Sequence, residues 1–157
     1  MLATKEALQF ETELIARKAR TKLGRDGHLA PVAIFLRDSL TEVAMMPMEI
    51  GDDEVNARAR RILADAVQRS TPEAVVVVYQ TMAVISDNDE EAEAIAELEE
   101  HPKKKIILNI TAVSPVAEHG MKIVYGVKDK KLRFEDEYTI DEAGHCKFTK
   151  GLWGVVN

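Results

Sequence analysis

The chain has little of several residue types and segments that define common protein classes. Among its 157 residues there is one cysteine, Cys146, and aromatic residues make up 5% of the sequence. One cysteine can form neither an internal disulfide nor a cysteine-rich zinc site, so a reducing cytoplasm is the expected setting. The longest apolar run is about a dozen residues and contains Gln80 and Thr81, whereas a membrane span needs about 20. The first 20 residues contain no signal-peptide core. We therefore expect a soluble cytoplasmic protein.

Motifs of several catalytic and cofactor-binding sites are also missing. The patterns GxxxxGK[ST], GxGxxG, HExxH, GxSxG and CxxC do not occur. His145 and Cys146 are adjacent and could both be metal ligands, but neighbouring side chains of a strand point to opposite faces. We therefore expect no metal site and no cofactor.

The charge balance is acidic but uneven. Asp and Glu outnumber Lys and Arg by 27 to 21, which gives a net charge of −6 and disfavours a general nucleic-acid binder. Bases cluster on two predicted helices, and these are Arg17, Lys18, Arg20, Lys22 and Arg25 on the first, and Arg58, Arg60 and Arg61 on the second. They could hold phosphates or an acidic partner, or be solvated helix faces. Together with the acidic segment 87–100, such patches favour association with a second copy or a partner.

The run 74–85, AVVVVYQTMAVI, is the strongest structural signal. Nearly every residue is apolar, β-branched or aromatic, and the run does not alternate between apolar and polar. A strand with one solvated face would alternate. The run therefore predicts a central strand that is covered on both faces.

The remaining patterns predict an α+β fold, a mostly antiparallel sheet with helices packed on it. Helices are predicted over 4–23, from Asp52 or Asp53 to 69, and over 87–100. Further strands are predicted over 31–37, 40–46, 105–113, 119–127, 131–140, 145–149 and 152–156. We expect one globular domain over 1–157, in which the acidic helix at about 87–100 is mobile. The order of hairpin, helix and meander is similar in topology to profilin-like and longin or roadblock-type scaffolds.

Capping residues and periodicity define the helices more closely. Thr4 can begin the first helix and Gly24 can end it, and Asp87 or Asp89 can begin the acidic helix. The second helix is expected to bury Val55, Ala59, Ile62, Leu63 and Ala66.

Three polar residues interrupt the predicted strands. Alternation over 131–140 places Asp136 on the apolar face, where an unpaired carboxylate is costly. Gln80 and Asn109 lie inside apolar strands. If the three converge, they form a small polar site in which Asp136 is a catalytic or ligand-binding acid. The alternatives are a bulge, a strand end that faces water, or buried groups with satisfied hydrogen bonds.

The leading functional hypothesis is a non-enzymatic cytoplasmic interaction or regulatory domain that acts as a homodimer. Its binding residues would include Gln80, Asn109, Arg58, Arg61 and Trp153. The alternative is a small hydrolase-type enzyme in which Asp136 works with His28 or His119 as acid and base. A third hypothesis is nucleic-acid binding through the arginine-bearing helices.

The apolar segment 148–156, which contains Trp153, is the expected dimer interface. The same segment could instead dock on the chain's own core.

Overall fold

The computed structural model describes residues 4–37, 41–140, 148–149 and 152–153. The helices are α1 (Lys5–Asp26), α2 (Asp53–Ser70) and α3 (Asp89–Ala96). The strands are β1 (Val32–Arg37), β2 (Thr41–Pro47), β3 (Ala74–Val84), β4 (Lys104–Val113), β5 (Glu118–Lys128) and β6 (Lys131–Ile140). Residues 148–149 and 152–153 form turns, and the other positions of the two predicted C-terminal strands lie outside the described residues, as do Asp38, Ser39, His145 and Cys146. None of these helices is both long and apolar enough to cross a membrane.

The six strands form one sheet in the order β2-β1-β3-β4-β5-β6, and every neighbouring pair is antiparallel. Both β2 and β3 lie beside β1, so they run parallel to each other and α2 connects them across the sheet. From β3 onward the chain is a meander, with α3 between β3 and β4. This confirms the predicted α+β fold with its mostly antiparallel sheet.

Strand β3 belongs to two hydrophobic cores, one on each face of the sheet. Ala74, Val76 and Val78 pack with α1 in the first core. Val75 and Val77 pack with α2 in the second core. The prediction of a strand covered on both faces is therefore confirmed for residues 74–78.

The second half of β3 is more exposed than predicted. Strand β1 pairs only with residues 74–78 of β3, so beyond Val78 only β4 continues beside β3. Met82 is 47% exposed as a result. Apolar composition alone did not reveal this change, because it depends on where the neighbouring strand begins.

Helix α1 begins at its predicted cap and ends later than predicted. The Thr4 side chain accepts a hydrogen bond from the Ala7 N–H. Gly24 lies within the helix, and Gly27 ends it with φ of 77° and donates its N–H to the Leu23 carbonyl. A left-handed residue is needed only where the chain leaves the helix, so Gly27, and not Gly24, is the C-terminal cap.

Helix α2 begins with Asp52 as its cap, as predicted, but its buried face is rotated. Ala59 and Leu63 are buried as expected, whereas Asn56 is buried and Ile62 is 52% exposed. The Asn56 side chain accepts from the Gly51 N–H and donates to the Gly51 carbonyl. These two bonds satisfy the buried amide and turn the first turn of α2 toward the sheet.

Helix α3 is short and acidic, as predicted, but Asn88 is its cap in place of Asp87 or Asp89. The Asn88 Oδ1 atom accepts from the N–H groups of Glu90 and Glu91. An amide oxygen therefore begins this helix without adding another charge to its acidic first turn. Of the eight residues of α3, Ile95 is the buried one.

Replacing Val77 with aspartate should lower the free energy of unfolding by about 3–5 kcal/mol, because it leaves an unpaired charge in a core. Val77 is 0% exposed. The matched control is Met82→Asp on the same strand, which should cost less than about 1 kcal/mol because that position is half exposed. Urea denaturation measures both. Equal losses in the two variants would contradict burial of β3 on both faces.

We expect residues 87–100 to exchange amide hydrogens faster than any other internal segment. Little burial holds α3, and its carboxylates repel one another. Hydrogen exchange measured by mass spectrometry tests this, with α1 as the control helix because its apolar face is buried along its length. Exchange in 87–100 as slow as in β3 would overturn the prediction.

Candidate functional site

Asp136 is exposed, which corrects its predicted place on an apolar face. The pairing of β5 with β6 shifts by one residue, so that Tyr125 faces Phe134 while Val124 faces Asp136. Glu135 is the extra residue of this bulge, and the alternation of β6 changes phase there. The Asp136 carboxylate accepts the Glu137 N–H at 2.8 Å, and its hydrogen bond with the Tyr138 hydroxyl raises the pKa of that phenol.

Gln80 and Asn109 lie on opposite faces of the sheet, and each satisfies groups next to it. The Gln80 Oε1 atom accepts the Leu29 N–H at 2.8 Å, on the side of the first core. The Asn109 Nδ2 atom donates to the Thr81 hydroxyl at 3.1 Å, on the side of Tyr79 and the second core. Asp136 is two strands away from Asn109, about 10 Å across the sheet. The structure therefore does not bring the three predicted polar residues together.

The candidate acid–base histidines are also apart from Asp136. His119 is buried on β5 and alternates in phase with Met121 and Ile123 of the first core, whereas Asp136 faces the other side. His28 is exposed in the loop between α1 and β1, its Nδ1 atom 3.2 Å from the Asp26 carbonyl oxygen. The next residue of that loop bonds to β3, three strands from β6. Within the described ranges, no three His, Cys, Asp or Glu side chains are grouped as metal ligands.

The remaining predicted binding residues lie around the second core. Arg58 is exposed on α2 and forms an ion pair with Glu49 at 3.2 Å, and Arg61 is exposed on the same helix. Trp153 is half-buried against the second core. Phe148 and Leu152 are fully buried in that core, and the Phe148 ring packs edge-on against Tyr79 with ring centroids 5.4 Å apart. These described residues of the C-terminal segment therefore dock on the chain's own core.

A charged cavity of about 570 Å³ lies where β4, β5 and β6 meet the loop before β4. The Lys105 ammonium spans this cavity to the Glu135 carboxylate, at 2.5 and 2.7 Å from its two oxygens. The pair passes over Gly126, where any Cβ would collide with that carboxylate. Glu100 accepts the N–H groups of Asp129 and Lys130 in the β5–β6 turn. Both carboxylates of this cavity, Glu135 and Glu100, are therefore already bonded to neighbouring strands or to the β5–β6 turn.

A second cavity, of about 500 Å³, is a groove between α1 and the β1–β2 hairpin. Its floor is apolar and includes Ile15, Ala19 and Val78. Met45 and the side chains of Lys18 and Lys22 lie at its rim. The two lysines belong to the basic patch predicted on the first helix. The groove itself could not be predicted, because it depends on where α1 lies on the sheet.

Arg20 holds α1 toward the opposite side of the sheet. Its guanidinium carbon lies 4.7 Å above the centre of the Phe134 ring, and its Nη1 atom is 3.7 Å from the Glu137 carboxylate. It also bonds to the Tyr125 hydroxyl, whose pKa is raised by burial and partly lowered by this cation. These contacts place α1 over β4 and β5, so the groove opens on the other flank of the helix.

The two edge strands of the sheet differ in chemistry. Five of the ten residues of β6 are charged, and the strand contains the bulge at Glu135. Strand β2 has no charged residue from Val43 to Pro47. Cavities lie on both sides of β2: the groove on the α1 side, and a pocket of about 170 Å³ on the α2 side. Met46 and Ile62 line that pocket, together with the ion pair of Glu49 and Arg58. Charges, bulges and proline are the usual protection of a sheet edge. Strand β2 also contains a bulge, at Val43, and ends in Pro47, so it is the less protected edge only in its charge.

Comparisons of the chain with models of known protein families, with curated proteins and with solved structures find no match.

Replacing Gly126 with alanine should cost about 1 kcal/mol, because the new methyl group displaces Glu135 and leaves the half-buried Lys105 without its partner. The backbone at Gly126 is not left-handed, so alanine itself fits there. In a Glu135→Ala background the same change should cost almost nothing, and a double-mutant cycle of urea unfolding measures the difference. If Gly126→Ala lowers the free energy of unfolding equally in both backgrounds, the cost does not arise from displacement of Glu135.

Proposed function

We propose that the protein is a non-enzymatic cytoplasmic interaction domain that acts as a homodimer joined through strand β2. The observation that carries the proposal is the contrast between the two sheet edges. Both strands contain a bulge, but β6 has five charged residues, whereas β2 has none from Val43 to Pro47 and lies between two cavities with apolar lining residues. An exposed strand of this kind favours pairing with another strand.

A two-fold axis beside β2 would pair the strand with its own copy in antiparallel orientation. The outward N–H and C=O groups of β2 between the bulge at Val43 and Pro47, which has no N–H, would then find partners. On the α2 side, the exposed residues Ala44 and Ile62 would come near the other copy, and on the α1 side Met45 would do so. Apolar surface would be buried on both faces of the joined sheet, which is the driving force for the association.

This interface replaces the one expected from the sequence. Phe148 and Leu152 are enclosed by the second core of their own chain, so they offer no surface to a partner. The support for a dimer therefore comes from β2. The described residues of the C-terminal segment cover the second core of their own chain.

Sedimentation velocity across the micromolar range should give the mass of a dimer for the wild-type chain. The double variant Ala44→Lys/Ile62→Lys should be a monomer, because it places two charges in the proposed interface. Both positions are exposed, so the fold should tolerate the changes. Neither residue lines the groove.

The matched control is Val116→Lys/Thr139→Lys, which adds the same charge at two exposed positions away from β2. It should remain a dimer. A monomeric wild-type chain would reject the homodimer, and a dimer that survives Ala44→Lys/Ile62→Lys would reject β2 as its interface.

A further inference from the structure

The groove between α1 and the β1–β2 hairpin has the form of a ligand site. Its volume of about 500 Å³ falls within the range of about 300–1,000 Å³ that is typical of small-molecule pockets. Ile15 and Ala19 of α1 form one wall, and Ile34 of β1 and Val78 of β3 lie across the sheet below them. All four are at most 7% exposed and belong to the first core. An apolar occupant would continue that core outward.

The polar groups at this groove are all cations. Lys18 and Lys22 are one helical turn apart on α1 and line the groove, and no acidic residue does. Beside them, Arg17, Thr21 and Arg25 line a neighbouring surface depression together with the same two lysines. The nearest acids of α1 in sequence are Glu11 and Glu13, seven and five residues before Lys18, and Asp26, which is bonded to Arg25. Burial raises the pKa of Glu11, and the charge of Lys18 lowers it in part. The rim is thus cationic in a chain whose net charge is −6.

From these observations we infer that the groove binds a medium-chain fatty acid, with its carboxylate at Lys18 and Lys22 and its hydrocarbon chain along Ile15, Ile34 and Val78. Two neighbouring ammonium groups suit a carboxylate, because charge-assisted hydrogen bonds are the stronger kind. The tail would be covered on its outer side by Met45, whose thioether chain is flexible and 58% exposed.

A free fatty acid suits the groove better than a membrane surface or a helical peptide, because the apolar residues of the groove floor are buried and do not form an exposed patch. The walls of the groove come from one helix and one hairpin, and its floor is closed by buried side chains. This depth suits a thin chain, whereas a peptide helix is about 10–12 Å across.

The test is isothermal titration calorimetry of the full chain with laurate below its critical micelle concentration. We expect one binding site per chain. From octanoate to decanoate to laurate, the affinity should rise roughly fourfold for each methylene that is buried. Dodecanol, which has the same tail without the charge, should bind about tenfold more weakly or worse.

The double variant Lys18→Glu/Lys22→Glu should weaken laurate binding by at least about tenfold, because it reverses the charge of the rim. The matched control Lys122→Glu/Lys131→Glu reverses two exposed charges on β5 and β6 and should bind like wild type. A third variant, Ala30→Trp, places a bulky ring at an exposed position that lines the groove and should also weaken binding. Urea unfolding of each variant confirms that the fold is intact.

Failure to bind any member of the series would overturn the fatty-acid site. Equal binding of laurate to wild type and to Lys18→Glu/Lys22→Glu, or of laurate and dodecanol, would overturn the role of the lysines. If laurate does not bind while an acidic amphipathic peptide binds through Lys18 and Lys22, the groove serves a protein partner and the fatty acid is rejected. None of these variants changes Ala44 or Ile62. Sedimentation of the same samples therefore measures the homodimer independently of fatty-acid binding.

Discussion

The structure depends on the burial of one strand from both sides. Within β3, Val75 and Val77 face the second core while Val76 and Val78 face the first, and all four are at most 2% exposed. Full burial of a valine contributes about 1.5–3 kcal/mol, so these residues form the most strongly stabilised part of the sheet. The two cores share β3 and also β1, which places Ile34 and Leu36 in the first core and Ala33 and Phe35 in the second. The packing of α1 and the packing of α2 are therefore linked through these strands.

The groove beside α1 and the exposed edge at β2 remain uncovered because one helix is narrower than the sheet. A sheet of six strands is about 25–30 Å wide, and a helix covers about 10–12 Å of it. The buried face of α1 packs on β4 and β5, and Arg20 extends from it to Phe134 and Glu137 of β6, so the hairpin at the other end of that face stays outside the helix. The groove and the apolar edge at β2 are two consequences of this one lateral placement. Both proposed binding surfaces therefore lie at the same end of the sheet.

The predicted polar site of Gln80, Asn109 and Asp136 does not form, for two reasons. One strand departs from regular geometry, and the buried polar groups find partners next to them. The alternation of β6 would place Asp136 on the apolar side, but the bulge at Glu135 shifts the phase and turns Asp136 to solvent. Gln80 and Asn109 were correctly identified as polar residues inside strands. Their hydrogen bonds to Leu29 and Thr81 satisfy them where they lie, on opposite faces, so they form no common site.

The sequence by itself determined the helices, most of the strands, the cap at Thr4 and the central place of β3, and it limited the cap of α2 to Asp52 or Asp53. These features follow from periodicity, from capping chemistry and from the lack of polar alternation, all of which act over a few neighbouring residues. Only the tertiary structure decided which face Asp136 meets, which strand is the less charged edge of the sheet and where a groove opens. These depend on the pairing register of β6 and on the position of α1, which are set by contacts between residues far apart in the chain, such as Arg20 with Glu137.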